Sequence, residues 1–134
     1  MSLNYAAALS KYPDKGVLGL EEVCEADGKI KEKALSLASL IKDAERIVFL
    51  TGAGISTSVG IPDFRGPNGV WTLEEMGLTP QVNIDFEKAT PSFTHQAIAA
   101  IHQSGKMCYI ASQNVDNLHM KSGKQRLLCG VYLR

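Results

Sequence analysis

The chain predicts an α/β layer fold, and three observations point to it. A helical apolar stripe over residues 29–46 runs directly into the apolar stretch Ile47-Val48-Phe49-Leu50. That stretch opens into a glycine turn, Gly52-Ala53-Gly54. A second helix and strand, residues 91–103 and 107–111, repeat the alternation and end in a second polar cluster. Helices alternating with short apolar strands build a sheet with helices packed on it. Polar clusters at the carboxyl ends of such strands match the rule for ligand sites in open α/β sheets.

Each element has its own signal. Residues 1–28 are expected to be irregular, punctuated by Pro13, Gly16, Gly19 and Gly28. In the first helix Ile30, Ala34, Leu37, Ile41 and Ala44 recur at spacings of four, three, four and three, and most of its charges lie off that stripe. The stripe predicts packing on a sheet. Residues 47–50 then form a buried strand. Residues 55–59 begin a short helix that ends before Pro62. Gly60, Pro62, Gly66-Pro67-Asn68-Gly69, Gly77 and Pro80 make residues 60–90 a long loop, of the kind that often carries function. Trp71 and Phe86 are its expected ring anchors. Thr90 and Pro91 read as N-cap and first residue of the second helix, which runs to Gln103 with Gly105 past its end. Residues 107–111 are the second strand, and the apolar tail 127–133 can add a further one.

Composition sets the limits. The 134 residues fit one domain or part of one, with 45% hydrophobic and 21% charged residues. Lys+Arg and Asp+Glu are both 14, which excludes a global attraction to nucleic acid or anionic membrane. Lys121, Lys124, Arg126 and Arg134 still crowd the carboxyl terminus. The three cysteines, Cys24, Cys108 and Cys129, form no C-x-x-C pair, so the chain cannot supply a four-cysteine zinc site. Their odd number and the lack of a signal-peptide pattern favour a reducing compartment. No apolar run approaches membrane-spanning length.

The groups that could do chemistry cluster in two places. In the first, glycine allows close backbone approach to an anion, with N–H groups directed at it. As a dinucleotide fingerprint the turn is incomplete, because Thr57 stands at the third glycine position. On the glycines alone, nucleotide binding and a plain strand-to-helix turn both stay open. Asp63, Phe64 and Arg65 follow Pro62 and could position a ribose or nicotinamide, or could be a surface ion pair around a core ring. In the second cluster Gln113, Asn114 and Asp116 suit amides and sugar hydroxyls, or turn capping. Of the three histidines, His95 and His102 share a helix face and have no partner at metal-ligand spacing, so a structural role is expected. His119 stands near the second cluster, which alone does not make it a base. Cys108, inside a strand, reads as a core thiol.

Together Gly52-Ala-Gly-Ile-Ser56, Gly60-Ile-Pro-Asp-Phe-Arg65 and Gln113-Asn-Val-Asp116 with Leu118-His119 resemble the sirtuins, NAD-dependent protein-lysine deacylases. The opening Met1-Ser-Leu-Asn-Tyr-Ala-Ala and Phe64-Arg-Gly-Pro-Asn-Gly-Val-Trp71 are similar to the nuclear, chromatin-associated class IV branch. The resemblance implies the N-terminal half of a Rossmann-like parallel-sheet domain, incomplete and without the zinc-binding small domain. It implies NAD as cofactor, with zinc expected only in the full-length family. Gly52, Ala53, Gly54, Ser56, Thr57, Ile61, Asp63, Phe64, Arg65, Trp71, Gln113, Asn114 and Asp116 would form the cofactor site. Ala53 and Thr57 would line the phosphate and ribose path. Gln113 and Asn114 would meet the nicotinamide ribose, and Asp116, with the backbone near Ile61, the carboxamide. Asn114 and Asp116 are the catalytic candidates.

The family's general base is a later histidine followed by glycine, and no histidine follows His119 here. The implied organisation is an irregular segment 1–28, a partial catalytic domain 29–123 and a divergent tail 124–134, the product of a carboxyl-terminal truncation. The implied function is protein-lysine deacylation on chromatin proteins such as histones, in the nucleus and away from membranes, with mono-ADP-ribosyl transfer left open. The chain alone is expected to be inactive. The alternative is a non-catalytic NAD- or partner-binding fragment.

Overall fold

A computed structural model describes residues 14–80, 87–123 and 127–129. Phe86, the opening residues that carry part of the resemblance, and the tail outside 127–129 lie beyond the described residues, as do the side chains of Cys108 and Cys129. Helix α1 spans Asp27–Asp43, strand β1 Ile47–Thr51, α2 Val70–Glu75, α3 Phe93–Gln103, β2 Met107–Ser112, α4 Leu118–Lys121 and β3 Leu127–Cys129. The sheet is parallel in the order β1-β2-β3, as an α/β layer fold requires.

The sheet is covered on one side. Ile110 is fully buried on β2 and packs with Ile98 of α3, flanked by Phe49 and Ile101. Strand β1 was expected to be buried, but it alternates. Val48 is 58% and Leu50 81% exposed, while Ile47, Phe49 and Thr51 turn partly inward. Tyr109, paired in register with Val48, is also half exposed. A strand has a side-chain period of two, so one covered face shelters only alternate residues.

Helix α1 departs further from expectation. It starts at Asp27 and ends at Asp43, where Ala44 turns to an extended backbone, rather than running over 29–46. None of its residues is buried; Ile30 and Leu37 of the predicted stripe are 51% and 56% exposed. The stripe therefore does not pack on the sheet. What ties this helix down is polar: the Lys106 ammonium donates to the carbonyls of Ile41 and Lys42. Glu25 pairs with Lys29 at 3.3 Å and Lys33 at 2.6 Å across its first turns.

The long loop expected over 60–90 contains α2. Its six residues carry three consecutive buried positions, Val70, Trp71 and Thr72, so no helical periodicity marks them. Residues 53–59 form two 3-10 turns, Ala53–Ile55 and Thr57–Val59, closed by Gly60 at φ 86°. The N-cap of α3 is Ser92, not Thr90. Its hydroxyl accepts from the His95 amide while His95 Nδ1 accepts from the Ser92 amide, a capping box closed by a histidine.

Candidate functional site

The carboxyl ends of β1 and β2 lie side by side in register, Thr51 opposite Ser112. The two polar clusters that leave these strands are thereby brought together, although some sixty residues separate them. The Gln113 amide donates to the Thr51 carbonyl at 3.1 Å, continuing the ladder by one step. A cavity of about 230 Å³ opens there, lined by Gly52, Ala53, Gly54, Asp63, Phe64, Arg65, Gln113 and Asn114. A small adjoining pocket shares Ala53, Phe64 and Asn114 and adds Ile61, Pro62, Val115 and Asp116.

Beneath the cavity a polar network fixes the second cluster. Ser56, fully buried, donates to Asp116 Oδ2 at 2.6 Å. Asp116 Oδ1 accepts the Leu118 amide at 2.9 Å. Asn114 Nδ2 donates to the Gly52 carbonyl at 3.0 Å and to Ser56 Oγ at 3.3 Å. Buried polar groups are stable only when partnered, and here the partners come from both strand ends. Asn117, at φ 61°, takes the left-handed turn that starts α4 and brings Leu118 under Asp116. Asparagine tolerates that region better than most residues.

The first cluster is held differently. Asp63 accepts the Gly66 amide at 3.2 Å on both carboxylate oxygens, and Arg65 Nε donates to the Lys15 carbonyl at 2.6 Å. The two charges thus engage separate partners rather than each other. Phe64 and Arg65 lie against Trp71, with a ring separation of 5.0 Å and the guanidinium 4.8 Å from the ring centre. Trp71 is 6% exposed and supports the loop from behind, as its expected anchoring role requires.

Three expected residues stand apart from the cavity wall: Trp71, behind the loop, and Thr57 and Ser56. Thr57 donates to the Gly54 carbonyl at 3.0 Å and lines a second cavity of about 250 Å³, bounded also by Glu22, Gly60, Pro67 and Asn68. Ser56 lies under the site rather than in its wall. His119 is buried, with Nε2 2.9 Å from Thr51 Oγ1 and its ring edge-on to His95 at 4.7 Å. Burial pushes the His95 imidazole below its ordinary range, and the Asp116 charge opposes that shift. Sequence reasoning missed Lys15, Gly19 and Glu74, which brace Arg65 and the helix below it. It also missed Ser92 and Thr51 as histidine partners. No local pattern links residues so far apart in the chain. Among the described residues, no group of three or more His, Cys, Asp or Glu is placed to hold a metal ion, and no helix is long and apolar enough to cross a membrane.

Parallel strands whose carboxyl ends open on a glycine-walled cavity define a Rossmann-like cofactor domain. The comparisons sharpen that class. The sequence matches the Sir2 family over residues 78–130. The Drosophila melanogaster NAD-dependent protein deacetylase Sirt6 is 55% identical over 126 residues, 94% of this chain and 40% of that protein. The human NAD-dependent protein deacetylase sirtuin-7 is 43% identical over 106 residues, 79% of this chain and 26% of that protein. A solved Sir2 enzyme superposes with a TM-score of 0.60 at 29% identity, covering 73% of this chain and 45% of that one. A Sir2–p53 peptide–NAD+ complex gives 0.53 at 29%, covering 69% and 43%. The chain belongs to the Sir2, or sirtuin, family, and its relatives agree with the class IV branch. It spans about two fifths of the Drosophila relative's length.

Proposed function

We propose that this chain forms the cofactor-binding part of an NAD-dependent protein-lysine deacylase. One observation carries the reading: the three motifs meet at a single cavity of about 230 Å³. Its glycine wall suits an anion such as a phosphate. A Cβ built on Gly52 or Gly54 would meet no atom within 4 Å, so the glycine wall faces open space that a phosphate can enter. Relatives named for NAD-dependent deacetylation, and a Sir2 complex with NAD+, support the same cofactor.

On this reading the turn amides of residues 52–54 and the Arg65 guanidinium hold the phosphates. Gln113 and Asn114 address ribose hydroxyls, and Asp116 with the Ile61 backbone the carboxamide. When bound, NAD supplies a nicotinamide leaving group and an electrophilic ribose carbon. Asn114 and Asp116 are the catalytic candidates because their network fixes them before the ligand arrives, and a preorganised polar wall needs little rearrangement. Phe64 and Trp71 keep water from one side.

The 134-residue chain has no histidine after His119 to serve as the ribose base, and His119 itself is engaged with Thr51. We therefore expect the chain alone to bind NAD without turnover. The activity on acyl-lysine proteins, including nuclear chromatin proteins such as histones, is assigned to the whole protein. Calorimetric titration of NAD into the chain tests the first claim. Binding that Arg65→Ala abolishes supports it, and heats unaffected by that change sink it. Nicotinamide release from NAD and an acyl-lysine peptide at about 1 s⁻¹ or faster would refute the second.

A further inference from the structure

Arg65 is held from the amino-terminal side. Its Nε–H donates to the Lys15 carbonyl at 2.6 Å, and its own carbonyl accepts the Gly19 amide at 3.0 Å. Lys15 is anchored in turn, with its ammonium 3.2 Å from Glu74 on α2 and 6.0 Å from the centre of the Trp71 ring. Gly16 and Gly19 adopt φ of +73° and +70°, the left-handed backbone that lets the segment fold back over the loop. A Cβ on Gly19 would stand 3.3 Å from the Thr72 side chain, so the segment lies close on α2. Residues 15–19 are thus a strap laid across Arg65 and the helix that supports it.

The strap restricts Arg65 without neutralising it. The Nε bond goes to an uncharged carbonyl, and the charge of Lys15 is met by Glu74. Among the described residues the guanidinium's terminal nitrogens make no hydrogen bond, and Arg65 lines the cavity. A free arginine loses rotamer freedom when it is ordered. An arginine already directed has less to lose when a ligand binds, so affinity rises with the fraction of molecules in the competent state.

We propose that residues 15–19, with Glu74, are a positioning element of the cofactor site that acts through Arg65. This rests on the reading of the cavity as an NAD site. The test is a double-mutant cycle on the full chain, with NAD affinity read by calorimetry. Lys15→Met keeps the aliphatic stem and removes the ammonium, and is expected to weaken NAD binding about three- to fivefold. Arg65→Lys keeps the charge and removes the Nε donor. In that background Lys15→Met is expected to change the affinity by less than about twofold, because the strap then has nothing to aim. Equal losses in the two backgrounds would mean a merely structural strap and would overturn the proposal. Amide exchange at Gly19 gives a readout independent of cofactor. Faster exchange in Lys15→Met than in the native chain supports the strap, and identical rates refute it. A native chain that binds no NAD removes the cofactor reading, and the strap then stands or falls on Gly19 exchange.

Discussion

Gly69→Ala is the sharpest test of the loop that carries Phe64 and Arg65. A Cβ at position 69 would lie 2.5 Å from the Phe64 carbonyl carbon, 2.6 Å from its oxygen and 2.7 Å from the Arg65 nitrogen. All three are main-chain atoms, so no rotamer change relieves the clash. The loop must move by roughly 1 Å to restore ordinary contact. Two hydrogen bonds lie in the way, from the Val70 amide to Asp63 at 2.9 Å and from the Trp71 amide to Phe64 at 3.0 Å. Overpacking costs about 1–3 kcal/mol, and each weakened hydrogen bond adds about 0.5–1.5. The sum, about 2–6 kcal/mol, is a large share of a typical domain's stability. Urea unfolding followed by the fluorescence of Trp71, the single tryptophan, measures it. A loss below about 0.5 kcal/mol would show that the loop does not sit on Gly69 as described.

Gly54→Ala should separate folding from binding: its Cβ meets nothing within 4 Å, so stability changes by less than about 0.5 kcal/mol while NAD affinity falls at least about tenfold, and unchanged affinity would place the cofactor elsewhere. Ser56→Ala removes a fully buried donor to the Asp116 carboxylate and should destabilise the chain by about 1.5–3 kcal/mol in urea, whereas a change within about 0.5 kcal/mol would refute the network. The lowered imidazole of His95 makes the folded state take up its proton less readily than the unfolded state. The stability it contributes is present above the ordinary value of 6.5 and is lost as pH falls from there through the folded value. Stability of the native chain should therefore drop as pH falls below about 6.5, and His95→Gln should flatten that slope; an equal slope in the variant would exclude His95 as its source.

What could be read from the sequence was local. The four-and-three spacing from Ile30 to Ala44 marked a helix, and the apolar runs at 47–50 and 107–111 marked strands, because backbone periodicity and apolar patterning act over a few residues. The tail's apolar run likewise contributes β3 at Leu127–Cys129, although residues 130–133 lie outside the described set. Helix α2 was hidden because Val70, Trp71 and Thr72 are all buried and leave no polar face to set a period. The N-cap moved from Thr90 to Ser92 because His95 completes a reciprocal pair with Ser92, which the cap preference alone does not reveal. The packing of α1 was inferred from a stripe that records only where a helix can be buried, and the described residues leave it exposed.

By itself the sequence determined the alternation of helices and strands and the family, since both reside in residue types at fixed short spacings. Only the tertiary structure decided which side chains share a wall. Register between β1 and β2 set Thr51 beside Ser112 and so brought Ser56, Asn114 and Asp116 into one buried network, while it left Thr57 facing a different cavity. It also gave the segment before α1 a place against Arg65. Contacts between residues fifty or more apart are fixed by how the strands pair and the chain folds back, and no short-range propensity encodes that.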